Sequence, residues 1–254
     1  MDILSIKNIS KKVINSGKEL SILEDISFDC KRGTLLTILG PTGCGKTTLL
    51  RIIAGLDSDY KGDILIDDKK QIGIPSDMTM IFQNQSLFPW LTVEDNIALP
   101  LKIKGEKKDE IQKTTDYYID LVGLKGFEKN FPQTISGGMQ QRVAIARALA
   151  YDAKILLCDE PFGALDDRTR RDLQKTLLKI RDKKNITIIL VTHSIDEAII
   201  VSDRIILMRD RPGSIAENIS LDNIPKPRDS HSEAFMELFF RLRLAFSDMI
   251  ENKE

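Results

Sequence analysis

The chain has 254 residues, of which 42% are hydrophobic and 30% charged, with a formal net charge of −1 at pH 7. This composition is typical of globular proteins, and it lacks the basic excess with which a protein holds a nucleic-acid backbone. No apolar run is long enough to cross a bilayer, and the N-terminus has no basic region followed by an apolar one. We therefore expect neither a transmembrane helix nor a signal peptide.

Apolar patterns predict an α/β fold. Short alternating segments indicate antiparallel strands at Leu4–Ile9, Ile26–Cys30 and Asp63–Asp67. Continuous apolar runs indicate strands buried on both faces of a mostly parallel sheet, at residues 34–39, 155–158 and 186–191.

The run Gly40-Pro41-Thr42-Gly43-Cys44-Gly45-Lys46-Thr47 matches the phosphate-loop pattern G-x-x-x-x-G-K-[ST]. It lies between a predicted strand and a predicted helix over Lys46–Ala54, which is the setting that this motif requires. The backbone N–H groups of such a loop point at one anion, and the helix N-terminus adds positive charge. We expect the loop and Thr48 to bind the phosphates of a nucleotide, with Lys46 at the β- and γ-phosphates and the Thr47 hydroxyl on Mg²⁺.

Histidine and cysteine usage restricts metal and redox chemistry. The only histidines are His193 and His231, which excludes a His-rich metal site. The cysteines Cys30, Cys44 and Cys158 form no CxxC pair, which favours a reducing compartment. Cys44 stands at a helix N-terminus, where a thiolate is favoured, so we expect it to react with thiol reagents.

The region from about 87 to 150 has helical periodicity and no strong strand. Within it, Ser136-Gly137-Gly138 directly precedes a helical stretch. A hydroxyl and backbone N–H groups at a helix start can bind an anion, although a plain Ser-capped helix is the alternative.

The predicted strand 155–158 runs into Asp159 and Glu160. Ligands bind at strand tips in open α/β sheets. We expect Asp159 to hold Mg²⁺ and Glu160 to polarise an attacking water.

The phosphate loop is followed in order by ISGGMQQR, ILLCDEP, GALD and VTH, which end at Arg142, Pro161, Asp166 and His193. This ordered set resembles the ATP-binding-cassette (ABC) ATPases, and the resemblance extends from about Leu4 to Arg228. It implies a P-loop NTPase (RecA-like) fold with a mostly parallel core sheet, an antiparallel β subdomain and an inserted helical subdomain.

The resemblance also implies boundaries within a single ABC ATPase domain over 1–254. The nucleotide-binding α/β core would comprise 1–86 and 152–224, and the helical signature subdomain would comprise 87–151. A helical tail would occupy 225–254, and apolar residues recur on one face of Ser232–Ile250. We expect this last helix to pack on the core, with a partner contact as the alternative.

In this family two copies of the chain sandwich two ATP molecules, and the phosphate loop of one copy faces Ser136, Gly137 and Gly138 of the other. The resemblance implies that His193 contacts the γ-phosphate and that Asp166 lies at the dimer seam.

Gln83 stands where the family places the Q-loop glutamine, which would bridge Mg²⁺ to the helical subdomain and assist catalysis. The family stacks adenine on an aromatic side chain upstream of the phosphate loop. The corresponding stretch, Lys11–Leu20, has no aromatic residue, and Val13 or Ile14 would offer only an apolar platform.

Met139 and Arg211-Pro212-Gly213-Ser214-Ile215 resemble the subgroup of importer ATPases for nitrate, sulfonates, taurine and thiamine-precursor pyrimidines. The resemblance implies an ATP-hydrolysing subunit, peripheral at the cytoplasmic face of the cell membrane, with ATP and Mg²⁺ as cofactors. Its partners would be a second copy, integral membrane permease subunits and, indirectly, an extracytoplasmic solute-binding protein, with no nucleic acid.

Leu87–Leu91 contains the only tryptophan, Trp90, and would be either a groove for a permease helix or part of the helical core. Two other functions fit the sequence less well. A soluble ABC ATPase of nucleic-acid repair or translation usually carries tandem cassettes, long coiled-coil insertions or basic surfaces, which are missing here. A nucleotide sensor without turnover conflicts with the presence of Glu160 and His193.

Overall fold

The computed structural model describes residues 1–15 and 17–251 and has an α/β fold with two compact units, Met1–Pro75 with Asn185–Glu254 and Ser76–Lys184. The first unit begins with β1 (Asp2–Asn15), β2 (Lys18–Lys31), β3 (Leu35–Leu39), α1 (Lys46–Ile53), β4 (Lys61–Ile66) and β5 (Lys69–Lys70). The second unit contains β6 (Met78–Ile81), α2 (Val93–Ile103), α3 (Lys108–Leu121), a 3₁₀ turn (Pro132–Thr134), α4 (Gly137–Ala150), β7 (Ile155–Asp159) and α5 (Asp167–Lys184). The chain then completes the first unit with β8 (Thr187–Thr192), α6 (Ile195–Val201), β9 (Arg204–Met208), β10 (Ile215–Ser220) and α7 (Glu233–Glu251).

Two kinds of sheet lie in the first unit, as the apolar patterns predict. One is antiparallel, with the strand order β2-β1-β4-β5. In the other, β3 lies between β8 and β9 and is parallel to both, while β10 pairs antiparallel with β9. Every residue of β3 and β8 is buried, which explains their continuous apolar sequences.

Helix α7 packs on the core of the first unit, which confirms the expectation for its apolar face. Phe235, Leu238 and Leu242 are buried in one cluster with Leu39 of β3 and Leu207 of β9. The last residues of the predicted tail, 252–254, lie outside the described part of the chain.

The second unit consists of a parallel strand pair, β6 and β7, and several helices. Helices α2, α3 and α4 pack on one another, in the region where the sequence predicts helices and no strong strand. The sequence-based limits of this subdomain, 87–151, stay a prediction. None of the described helices has the length and apolar content that a bilayer span needs.

Asn96 on α2 holds the segment that precedes this helix. Its side chain is fully buried, and its Oδ1 atom accepts a hydrogen bond of 2.9 Å from the Phe88 N–H. Its amide nitrogen donates to the carbonyl oxygens of Phe88, Leu91 and Thr92 at 3.2, 3.1 and 2.9 Å. One side chain thereby satisfies the backbone of a segment that has no strand or helix of its own.

We predict that Asn96→Ala lowers the free energy of unfolding by about 2 kcal/mol, because it leaves buried backbone groups without partners. Urea denaturation measures this change. Asn130→Ala is a matched control, since its amide donates to the exposed Thr134 hydroxyl, and it should cost less than about 0.5 kcal/mol. An equally small change for both variants would contradict the prediction.

Candidate nucleotide-binding site

The phosphate loop occupies the turn between the end of β3 at Leu39 and the start of α1 at Lys46. Gly43 and Gly45 have φ angles of +88° and +97°, in the left-handed region that glycine adopts without strain. A Cβ atom on Gly45 would also lie 2.7 Å from Cδ2 of Leu23 on β2, so no side chain fits there. The loop thus presents backbone N–H groups at a helix N-terminus, the arrangement that binds phosphate in proteins.

Lys46 lies inside this loop. It is 5% exposed, and its Nζ atom donates to the carbonyl oxygens of Gly40 and Pro41, both at 2.8 Å. Two of the three ammonium donors are therefore satisfied by the loop itself, and the positive charge stays at the helix N-terminus. Thr47 is exposed and Thr48 half-buried on the first turn of α1.

The expectation for Cys44 was wrong. Its side chain is fully buried, and burial raises the pKa of the thiol above its ordinary value although the nearby Lys46 ammonium lowers it. Loss of hydration therefore outweighs the favourable charge of the helix N-terminus. A buried neutral thiol is inert, so we no longer expect Cys44 to react rapidly with thiol reagents.

A cavity of about 770 Å³ lies along the β1–β2 hairpin and the residues that precede β4. Its lining includes Val13, Ile14, Leu23 and Tyr60. Since Leu23 also meets Gly45, the cavity is next to the phosphate loop. Val13 and Ile14, the residues expected to form an apolar platform, both line this cavity, and their contact with a base stays a prediction.

Tyr60 also lines the cavity and lies outside Lys11–Leu20, the stretch where the family resemblance places an aromatic residue, so the sequence alone did not indicate it. The antiparallel pairing of β1 with β4 sets Ser10 opposite Lys61, and this brings Tyr60 to the same cavity as Val13. The sequence predicts strands at Leu4–Ile9 and Asp63–Asp67 but not that they pair, and only this pairing brings Tyr60 to the cavity.

His193 lies in the first unit, in the turn between β8 and α6. It is exposed, and the residues on either side of it hold the turn. The Ser194 N–H donates to the Thr192 hydroxyl at 3.1 Å, and the Ser194 hydroxyl accepts from the Glu197 N–H at 3.3 Å as the helix cap. The imidazole is therefore presented from a well-defined strand-to-helix turn.

In the second unit, Gln83 and Glu160 meet at the ends of two parallel strands. Ile81 of β6 is in register with Cys158 of β7, so the residues that follow the two strands are neighbours. The Gln83 amide nitrogen donates to the Glu160 carboxylate at 3.3 Å. Asp159 is 2% exposed, and Glu160 has a φ of +47°, a conformation that is uncommon outside glycine and is found at functional sites.

Ser136 caps α4, because its hydroxyl accepts a hydrogen bond of 3.2 Å from the Met139 N–H. Ser136 and Gly137 are exposed, and a Cβ atom on Gly138 would lie 3.4 Å from the Ala164 carbonyl oxygen. The start of α4 at Ser136, Gly137 and Gly138 therefore lies beside the segment that ends at Asp166. The cap fits both a plain Ser-capped helix and an anion site, so anion binding here stays a prediction.

Asp166 itself is held at the start of α5. Its carboxylate accepts a hydrogen bond of 3.0 Å from the Thr169 N–H, and this bond lowers the pKa of the carboxyl group. The carboxylate is therefore ionised at neutral pH in the described structure.

Comparison with known proteins agrees with this geometry. A family described as ABC transporter matches residues 23–163. The chain is 48% identical to the aliphatic sulfonates import ATP-binding protein SsuB of Bacillus cereus, over 92% of each chain. It is 43% identical to the taurine import ATP-binding protein TauB of Roseobacter denitrificans, over 86% of this chain and 82% of that protein.

A solved structure shares the fold. The ATP-binding cassette MJ0796, a dimer in a post-hydrolysis state bound to ADP and Pi, superposes with a TM-score of 0.79 at 32% identity, over 86% of this chain and 98% of that one. This agreement confirms the predicted P-loop NTPase fold and the resemblance to the sulfonate and taurine subgroup. The chain therefore belongs to the ABC transporter family and is an ATP-hydrolysing cassette.

Proposed function

We propose that this chain is the ATPase subunit of an ABC importer and acts with a membrane permease at the cytoplasmic face of the cell membrane. The observation that carries the proposal is the phosphate loop, where a buried lysine and a helix N-terminus meet in one glycine-lined turn. The cargo would be a nitrate-, sulfonate- or taurine-like anion or a pyrimidine precursor. The names of the relatives support the sulfonate and taurine side of that range.

The loop residues would bind the ATP phosphates through their N–H groups, with Lys46 neutralising charge. Mg²⁺ would be held by the Thr47 hydroxyl, the Gln83 amide oxygen and the Asp159 carboxylate. These are hard oxygen donors, the kind that Mg²⁺ prefers, and the Gln83 amide nitrogen is already used in the bond to Glu160. When bound, the metal ion would neutralise developing negative charge on the phosphates.

Glu160 would accept a proton from the attacking water, and the hydrogen bond from Gln83 would fix the orientation of its carboxylate. His193 would contact the γ-phosphate from its turn. Asp166 would lie at the seam of a dimer.

The dimer would be two-fold and isologous, so that each copy offers the same surfaces. Exposure of Ser136 and Gly137 at the α4 N-terminus supports this arrangement, because a phosphate held by a second copy could reach those N–H groups. The related MJ0796 cassette is itself a dimer.

The segment 87–91 would receive a short helix of the permease. Trp90 is 71% exposed, which favours a partner surface, whereas the half-buried Leu87, Phe88 and Leu91 also fit the alternative that the segment is part of the helical core. The Phe88 and Trp90 rings are 5.5 Å apart, and the Arg147 guanidinium lies 5.6 Å from the Phe88 ring centroid. The exposed Trp90 ring beside the half-buried Phe88 ring, on a segment held by the buried Asn96, offers an apolar surface to a partner.

We predict that Glu160→Gln abolishes steady-state phosphate release and accumulates an ATP-bound dimer. The amide keeps the shape of the carboxylate but cannot accept the proton. Phosphate release and light scattering with MgATP measure the two effects. Glu110→Gln, an exposed change at the start of α3, is the control. A monomeric Glu160→Gln variant in MgATP would contradict the sandwich dimer.

We predict that the chain purifies from gently solubilised native membranes with a multi-span permease, and that Trp90→Ala weakens this recovery. Tyr117→Ala, which removes another exposed aromatic residue, should leave it unchanged. Recovery of the wild-type chain only from the soluble fraction, alone or with nucleic acid, would instead favour a soluble non-transport ABC ATPase.

We further propose that the cavity beside the phosphate loop accepts adenine and that the Tyr60 ring replaces the missing upstream aromatic. Tyr60→Ala should raise the KM for ATP about 5-fold, because an aromatic contact is worth about 1 kcal/mol. Tyr60→Phe keeps the ring and should behave as wild type. Initial-rate kinetics measure both, and an unchanged KM in Tyr60→Ala would exclude Tyr60 from base binding.

A further inference from the structure

The segment Arg211-Pro212-Gly213 has no role in the function described so far. It lies in the turn between β9 and β10, which the Arg209 N–H closes with a 2.8 Å hydrogen bond to the Ser214 carbonyl oxygen. This turn packs on the phosphate loop, although the two are far apart in sequence.

Backbone contacts fix the position of the turn. The Gly213 N–H donates to the Ile22 carbonyl oxygen, and the Glu24 N–H donates to the Gly213 carbonyl oxygen, both at 2.9 Å. A Cβ atom on Gly213 would lie 2.1 Å from the Cys44 carbonyl oxygen, so a side chain there would push the turn away from the phosphate loop. Gly213 thus permits direct contact between the two backbones.

Arg211 adds a side-chain contact to the loop. Its Nε atom donates to the Gly43 carbonyl oxygen at 3.0 Å. The peptide bond from Gly43 to Cys44 is planar and trans, so its C=O and N–H groups point in opposite directions. Holding the carbonyl oxygen toward Arg211 therefore directs the Cys44 N–H in the opposite direction, away from Arg211.

That N–H points at the Pro41 carbonyl oxygen within the loop, over a long contact of 3.4 Å. A phosphate oxygen, which is a charged and stronger acceptor, could take its place. Gly43 has a φ of +88° and would otherwise be among the most freely rotating positions of the loop.

We propose that Arg211 is a positioning residue for ATP binding, which orients the Gly43–Cys44 peptide so that its N–H group points at the phosphates. The proposal rests on the proposed phosphate-binding role of the loop. Its energetic benefit is pre-organisation, because the peptide is oriented before the nucleotide arrives. The hydrogen-bond donor, rather than the positive charge, carries the effect.

Two variants with side chains of similar shape distinguish the effect of the hydrogen-bond donor of Arg211 from the effect of its positive charge. Arg211→Gln places an amide nitrogen at the position of Nε without the charge, whereas Arg211→Met has a similar length and no donor. We expect Arg211→Met to raise the Kd and KM for ATP about 5-fold, the value of one lost hydrogen bond, with kcat at saturating ATP unchanged. Arg211→Gln should stay within about 2-fold of wild type.

Nucleotide titration and initial-rate kinetics, run below the melting transition of every variant, measure these values. Arg209→Met, two positions away on the same turn, is the control and should not change them. Equal affinity in Arg211→Met and wild type, or equal loss in Arg211→Gln and Arg211→Met, would overturn the role of the donor. Lys46→Ala distinguishes failure of the Arg211 proposal from failure of the phosphate site on which that proposal rests. If Lys46→Ala also leaves ATP binding unchanged, the proposed phosphate site itself is wrong.

Discussion

The nucleotide site of the first unit depends on close approach between backbones that are distant in sequence. The space around the phosphate loop does not accommodate a Cβ atom at Gly45, against Leu23, or at Gly213, against the Cys44 carbonyl oxygen. Because β3, the β1–β2 hairpin and the β9–β10 turn meet at this point, the loop conformation is determined by packing from several sides. The conformation of the phosphate loop thus depends on packing throughout the first unit and not only on the eight loop residues, 40–47.

Burial has opposite consequences for the two ionisable side chains inside the loop. Hydrogen bonds to the carbonyl oxygens of Gly40 and Pro41 replace the water that the Lys46 ammonium loses on burial. Its positive charge therefore remains available to bind an anion. For the Cys44 thiol, the loss of hydration on burial outweighs the stabilisation of a negative charge by Lys46, so burial raises the pKa of the thiol and keeps it protonated. The same turn stabilises a cation and disfavours a thiolate, which suits a site whose ligand brings the negative charge.

Local patterns were sufficient to predict much of this molecule. The strand β3, the phosphate loop and helix α1 follow from a short stretch, and Glu160 follows a predicted strand. Gln83 was located by the resemblance to the family, because strand β6 before it was not predicted. Contacts across the fold were not predictable in the same way, since Arg211 meets Gly43 across 168 residues. Tyr60 and the protonated Cys44 were missed for the same reason, because cavity lining and burial depend on tertiary packing that no local window contains.

In the second unit, hydrogen bonds from two side chains hold the backbone of the segment after Gln83. Arg147 of α4 holds the carbonyl oxygens of Gln85 and Ser86 at 3.3 and 3.0 Å, and Asn96 holds the residues that follow. Among the large apolar side chains of this segment, Trp90 is the most exposed, at 71%. If position 90 contacts the proposed permease, replacing its side chain would therefore change that contact and leave in place the hydrogen bonds from Arg147 and Asn96 that hold the backbone of the segment.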